Sequence, residues 1–175
     1  MDAAVAATNR ELLVPQTGRI CALLLALAAP PLCGGGANDD KPAAGRLTED
    51  EQAVLDLTNA ARAAAEKKLP PLKANPKLME AARKHAANMA AQDKMEHVLD
   101  DKSPADRLKA AGYKYRVFGE NIAWGAKGPK DVVAGWMDSE PHRENILKPE
   151  YTEIGVAVAR NAKGEPYWVQ VFGKR

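Results

Sequence analysis

Apolar side chains recur at helical spacing in three stretches of this chain and crowd into β-rich runs in two others. Val54, Leu57, Ala61 and Ala64 or Ala65 share one face, so a helix is predicted from the capping box in Leu47-Thr48-Glu49-Asp50-Glu51 to about Lys68, where Pro70-Pro71 stops it. Leu72 is then expected to tuck into the core between helices. Asn75-Pro76 pairs a capping side chain with the helical position that tolerates proline, and Leu78, Ala81, Ala82, His85 and Met89 follow on one face as far as about Asp93. His85 lies inside that apolar stripe and is expected to be structural, buried with one satisfied hydrogen bond. Ser103-Pro104-Ala105-Asp106 starts a short third helix that Gly112 ends. Gly128-Pro129 begins a fourth, with Val132, Val133, Trp136 and Met137 inward and Pro141 closing it, and residues 142–147 make one or two further turns. Residues 113–118 read as a strand, and residues 154–159 and 167–172 as a hairpin about Asn161-Ala162-Lys163-Gly164. Because residues 155–159 are almost wholly apolar, helices are expected on both sides of an antiparallel sheet.

Ahead of the periodic part the composition changes. Residues 20–29 form an uninterrupted apolar run between Arg19 and Pro30-Pro31. The run is too short for a bilayer, which takes about 20 residues, but it suits the apolar region of a secretory signal. Residues 1–33 are therefore expected to be an export signal, 34–46 a flexible linker and 47–175 the folded domain. The long polar segment before Arg19 is unusual for such a signal. Both cysteines, Cys21 and Cys33, fall in this leader, which leaves the domain without a disulfide or a thiol nucleophile and suits a bacterial exported protein. Cys33 before three glycines brings in lipid attachment as an alternative, although Pro30-Pro31-Leu32 resembles a bacterial lipoprotein signal poorly.

A hydrophobic content of 46% in 175 residues suffices for one good core, and the mature protein is expected to have no transmembrane span. Lys and Arg total 25 against 23 for Asp and Glu, so the net charge of +2 gives no electrostatic case for nucleic acid, and no basic stripe with interleaved aromatics is read.

The chemistry concentrates in Gly119-Glu120-Asn121-Ile122-Ala123-Trp124, which sets a carboxylate and an amide between a glycine able to adopt unusual backbone angles and an apolar residue that must be buried. Two readings stand here: a polar pair pinned to the edge of a core, as a site requires, or a turn in which Asn121 caps backbone groups and Glu120 faces water. With His85 set aside, His97 and His142 remain, and Glu120 lies between them in sequence with no short metal motif joining the three. Trp124, Trp136 and Trp168 are expected in the core.

Taken in order, His97, Gly119-Glu120-Asn121-Ile122-Ala123, Trp136 with Ser139, His142-Arg143-Glu144-Asn145-Ile146-Leu147, Tyr151, Ile154-Gly155-Val156 and Trp168-Val169-Gln170-Val171-Phe172 resemble the CAP superfamily. These are the cysteine-rich secretory proteins, antigen 5 and plant pathogenesis-related proteins, also called the SCP domain. The resemblance covers about residues 48–173 and is to the short, cysteine-free bacterial branch. It implies an α+β fold, a three-layer α-β-α sandwich with a central antiparallel sheet. It also implies a shallow cleft lined by two histidines and two glutamates that can hold a divalent metal such as zinc. His97 matches the first histidine, Glu120 the glutamate of the Gly-Glu-Asn motif and His142 the second histidine, so these three are the implied metal ligands. The position of the second glutamate is Ser139 here, with the neighbouring Glu140 as a substitute from a shifted register. Arg143 and Asn145 are expected to serve structure, through a salt bridge and a cap.

Two imidazoles and one carboxylate would leave an open position for a water acidified to a pKa of about 7. One carboxylate fewer also leaves less charge to hold a cation, so a weak or exchangeable site is expected, or else the three side chains hydrogen-bond across the cleft without metal. The resulting expectation is an exported binding domain in the extracellular space or cell envelope, more a binder than an enzyme, whose ligand is a lipid, a sterol or a cell-envelope component. No nucleophile with an adjacent base can be named. The alternative from another class is a metal-assisted hydrolase of peptide or cell-wall bonds with Glu120 as ligand or general base. A structural envelope domain with a vestigial cleft is the third.

Overall fold

The capping box forms as predicted: the Thr48 hydroxyl accepts from the Glu51 N–H at 3.2 Å and the Glu51 carboxylate accepts from the Thr48 N–H at 2.8 Å. Helix α1 (Glu49–Ala64) follows. It ends four residues before the predicted stop, where Lys68 turns through a left-handed conformation and the Leu69 N–H returns to the Arg62 carbonyl. The computed structural model describes residues 46–175. The expected export signal with Cys21 and Cys33, and residues 34–45 of the expected linker, lie outside the described residues.

Helix α2 (Pro76–Gln92) is capped by Asn75 and α3 (Pro104–Ala110) by Ser103, both at the predicted residues. Helices α4 (Pro129–Asp138) and α5 (Glu140–Ile146) are split at Ser139, which is extended; Pro141 does not close α4 but sits in the first turn of α5, where proline costs no hydrogen bond. The strands are β1 (Lys73–Ala74), β2 (Val117–Trp124), β3 (Glu153–Arg160) and β4 (Pro166–Lys174), ordered β1-β3-β4-β2. Strands β3 and β4 form the predicted hairpin, and β2 adds antiparallel to β4. The two-residue β1 runs parallel to β3, so the sheet is mixed where a wholly antiparallel one was expected. Two residues give no periodicity for a sequence to display.

Three layers result from alternation along the strands. Ile154, Val156, Trp168 and Phe172 pack with Val54 of α1, Val132 and Trp136 of α4 and Ile146 of α5. Ala157, Val169, Val171 and Ile122 face the other way, onto Leu78, Ala82 and Met89 of α2 and Leu108 of α3. Leu72 is buried as expected. One cation is buried in the first of these layers: the Arg62 guanidinium donates to the carbonyls of Pro70, Ile146, Lys148 and Tyr151 at 2.7–3.3 Å, tying the end of α1 to the segment that carries α5 into β3. Among the described residues no helix is long and apolar enough to cross a membrane.

Candidate functional site

The Gly-Glu-Asn motif is neither a turn nor the end of a strand; it lies in the middle of β2, which begins at Val117 rather than ending at Phe118. Alternation then decides where each side chain goes. Phe118 and Ile122 pack on the α2 side, while Val117 and Ala123 pack on the α1 side. Glu120 accordingly points towards α2 and α3, and Asn121 towards α1 and α5. Gly119 does not adopt the unusual backbone angles expected of it. A Cβ there would collide with the Tyr151 hydroxyl and stand 2.8 Å from the Asn145 amide oxygen, so glycine is required by close approach.

Glu120 is 7% exposed and ionised in a setting that no pattern in the sequence announces. Nη2 of Arg107, from α3, donates to its two oxygens at 2.9 and 2.7 Å, while Nη1 donates to the carbonyls of His97 and Lys102 at 3.0 and 2.9 Å. His97 Nδ1 lies 2.9 Å from the same carboxylate. Burial pushes the Glu120 carboxyl up, but the His97 hydrogen bond and the Arg107 charge outweigh it and hold the group below the usual carboxylate range. An ionised carboxylate only accepts, so His97 donates to it from Nδ1, and its Nε2 edge belongs to a ring that is one-quarter exposed.

Asn121 is fully buried and organises the other side. Its Nδ2 donates to the His142 carbonyl at 3.1 Å and to Gln170 Oε1 at 3.3 Å, and its oxygen accepts from Asn145 Nδ2 at 2.9 Å. Gln170 continues inward to the Thr58 hydroxyl at 2.7 Å, so a polar chain from α1 through β4 and β2 fixes the backbone that presents His142. The His142 ring is held by Ser139, whose hydroxyl is 2.9 Å from Nδ1. Burial lowers the His142 pKa, and His97 lowers it further.

The structure thus gathers His97, Glu120, Ser139 and His142 about β2 and adds Arg107, which sequence reasoning missed. A buried carboxylate needs a countercharge, and that requirement was the available signal. Glu140 does not join them: its side chain is exposed at the start of α5. Among the described residues Arg143 makes no salt bridge and Asn145 caps no helix; Arg143 donates to the Met137 carbonyl at 2.9 Å and Asn145 bonds Asn121. Trp136 and Trp168 are buried as expected, whereas Trp124 is half exposed at the end of β2, its ring centroid 6.4 Å from that of Tyr167. Among the described residues no three His, Cys, Asp or Glu side chains are arranged to hold a metal ion.

His85 is buried but not satisfied. Among the described residues neither ring nitrogen has a partner at hydrogen-bond geometry, and Nε2 is 3.8 Å from Glu120. Burial pushes its pKa down to about 4; Glu120 and a loose contact with the Glu96 backbone oppose this, and Arg107 and His97 add to it. The unfolded chain therefore takes up a proton first as pH falls. Stability is fully present above the ordinary histidine pKa of about 6.5 and is lost towards pH 4, by about 3 kcal/mol at 1.36 kcal/mol per unit. His142 adds a loss of the same sign. Urea unfolding between pH 7 and pH 4.5 is expected to show a clear decline in the parent and a shallower one in His85→Leu; parallel profiles would remove His85 as the cause.

A family model for the cysteine-rich secretory protein family, CAP, matches residues 55–172. The chain is 39% identical over 123 residues to an uncharacterized protein, YkwD, of Bacillus subtilis (strain 168), a match covering 70% of this chain and 46% of that protein. It is 27% identical, with a TM-score of 0.66, to the crystal structure of an extracellular protein containing an SCP domain from Bacillus anthracis, across 75% of this chain and 45% of that one. An outer surface protein from Borrelia burgdorferi shares the fold at a TM-score of 0.64 and 21% identity, over 75% of this chain and 98% of its own. The chain spans less than half the length of the curated Bacillus relatives it matches.

Proposed function

This chain belongs to the cysteine-rich secretory protein (CAP) family, and from that premise we propose that it works outside the cytoplasm as a binding module whose recognition groups are the imidazoles of His97 and His142. The observation that carries this reading is that Nδ1 of each ring is engaged, by Glu120 at 2.9 Å and by Ser139 at 2.9 Å, while neither Nε2 has a hydrogen-bond partner among the described residues. Export is supported by the apolar run at residues 20–29 and by the extracellular SCP-domain structure from Bacillus anthracis. A lipid, a sterol or another cell-envelope component is the ligand class that the binding reading carries, and a lipid anchor at Cys33 remains part of that proposal.

A divalent metal such as zinc would find two imidazole ligands here, one fewer than the three protein ligands of an open zinc site. Both oxygens of Glu120 already accept from Arg107, and one also from His97. His97 and His142 would hold the ion through Nε2, and Glu120 would orient His97 from behind, as outer carboxylates do at histidine-bound metals. Bound there, the ion would polarise an oxygen-bearing ligand. The hydrolase reading draws less support, since a carboxylate whose lone pairs are committed to a guanidinium and an imidazole is a poor general base.

Saturable retention of the full chain on isolated envelope fractions is expected, with loss in the folded double variant His97→Ala/His142→Ala. Equal retention of the two proteins would overturn the reading.

A further inference from the structure

Ser139 stands between α4 and α5 in the capping position of α5, yet its side chain caps no backbone group. Its hydroxyl lies 2.9 Å from Nδ1 of His142 instead. The sequence contains one other serine, Ser103, which shows what a cap looks like in this chain. There the hydroxyl accepts from the Asp106 N–H at 3.3 Å and donates to the Asp106 carboxylate, which in turn accepts from the Ser103 N–H at 3.0 Å. Helix capping accounts for Ser103 and leaves Ser139 unexplained.

An imidazole nitrogen within hydrogen-bond reach of a hydroxyl is the pairing through which a serine loses its proton as it attacks. Both side chains are half-buried, so neither is sealed from a substrate. Their backbones are held in place: Asn121 Nδ2 donates to the His142 carbonyl at 3.1 Å, and the Arg143 N–H donates to the Ser139 carbonyl at 2.8 Å. Arg143 also brings a cation to this hinge, where Nη1 donates to the Met137 carbonyl at 2.9 Å. Among the described residues no carboxylate pairs with it. A search of the sequence for a nucleophile beside a base misses the pair, because residues three apart meet only where a helix turn brings them together.

We propose that Ser139 is a nucleophile with His142 as its general base, and that the pair acts on acyl esters. Ser139 Oγ bonds to the acyl carbon, the ester C–O bond breaks, and the hydroxyl proton passes through His142 Nδ1 to the leaving alcohol. A water molecule then repeats the step on the acyl-serine and releases the acid. The Arg143 guanidinium is the countercharge that this hinge supplies for the acyl oxygen as it turns negative. No carboxylate stands behind His142 to stabilise an imidazolium as in a full triad, which suits an ester, with its readily leaving alcohol, better than a peptide bond. The binding reading uses Nε2 of His142, so the two uses employ opposite edges of one ring.

A fluorophosphonate ester added to the full chain is the first probe, and p-nitrophenyl acetate the second. With the first, phosphorus should bond to Ser139 Oγ as fluoride leaves with the hydroxyl proton. The adduct is expected on the tryptic peptide of residues 131–143, which holds no other hydroxyl side chain, and not on residues 103–107, which hold Ser103. With the second, acetyl should appear on the same 131–143 peptide. His142→Leu, checked for folding, should label about 100-fold more slowly or worse, the least that a positioned general base contributes. The parent in urea, where the pair is apart, serves as a second comparison and should label no faster at Ser139 than at Ser103. An unlabelled 131–143 peptide in the folded parent, equal labelling of both serines, fluorophosphonate labelling without acetylation, or labelling unchanged in folded His142→Leu or in urea would each overturn the proposal.

Discussion

Arg107→Ala is expected to destabilise the domain by about 3–5 kcal/mol at neutral pH, the cost of leaving a buried carboxylate without its counter-ion. Glu120 is 7% exposed, and Arg107 places one nitrogen on both of its oxygens while the other holds the carbonyls of His97 and Lys102. Without the guanidinium, burial would raise the Glu120 pKa above its unfolded value. The deficit of the variant should therefore be smallest below the unfolded pKa of the carboxyl and grow as pH rises through the folded one, opposite in sign to the parent. Glu120→Gln in the Arg107→Ala background should recover part of the loss, because it removes the stranded charge. Arg107→Lys should not restore the parent, since one ammonium cannot serve carboxylate and carbonyls together. Urea unfolding of the four proteins at pH 5 and pH 7 decides the matter; an Arg107→Ala protein as stable as the parent would mean that water, not the ion pair, satisfies Glu120.

Gly155→Ala is expected to be nearly as damaging for a reason of shape alone. At this glycine β3 passes so close to α2 that a Cβ would overlap the carbonyl of Leu78 and stand 2.5 Å from the Met79 nitrogen. These are backbone atoms, which no rotamer change moves aside, so the helix must lift off the sheet along Leu78, Ala82 and Met89. A cost of about 3 kcal/mol, at or above the usual range for overpacking, corresponds to a fall in Tm of roughly 10 °C for a domain of this size. Gly135→Ala, where a Cβ would meet nothing within 4 Å, is the matched control and should stay near the parent. Equal melting of the two variants would contradict the packing described.

The helices were legible because their ends carry their own signals. Thr48, Asn75 and Ser103 cap where the sequence predicts, and the apolar faces of α1, α2 and α4 keep helical spacing. The hairpin was legible for its β-branched runs. Strand β2 was obscured because polar residues, Glu120 and Asn121, fill buried positions where a strand normally carries apolar ones. The same two residues explain what was seen of the site and what was not. His97, Glu120 and His142 could be nominated one by one from a resemblance. That Arg107 sits behind Glu120, that Ser139 holds His142 and that Gln170 and Thr58 support Asn121 depends on side chains brought together from five elements. No local pattern encodes such meetings.

In the proposed function His97 and His142 are the recognition groups, His97 held through Nδ1 by Glu120 and His142 through Nδ1 by Ser139. Zinc titration of the full chain by calorimetry tests it most directly, beside His97→Ala, His142→Ala and Glu120→Gln, each checked for folding. One ion bound by the parent, lost in either histidine variant and weakened about 10–100-fold in Glu120→Gln is the predicted result, as outer carboxylates at metal-bound histidines behave. Absence of binding to the parent, binding that survives the loss of either histidine, or a Glu120→Gln protein as completely inactive towards zinc as His97→Ala would contradict the arrangement.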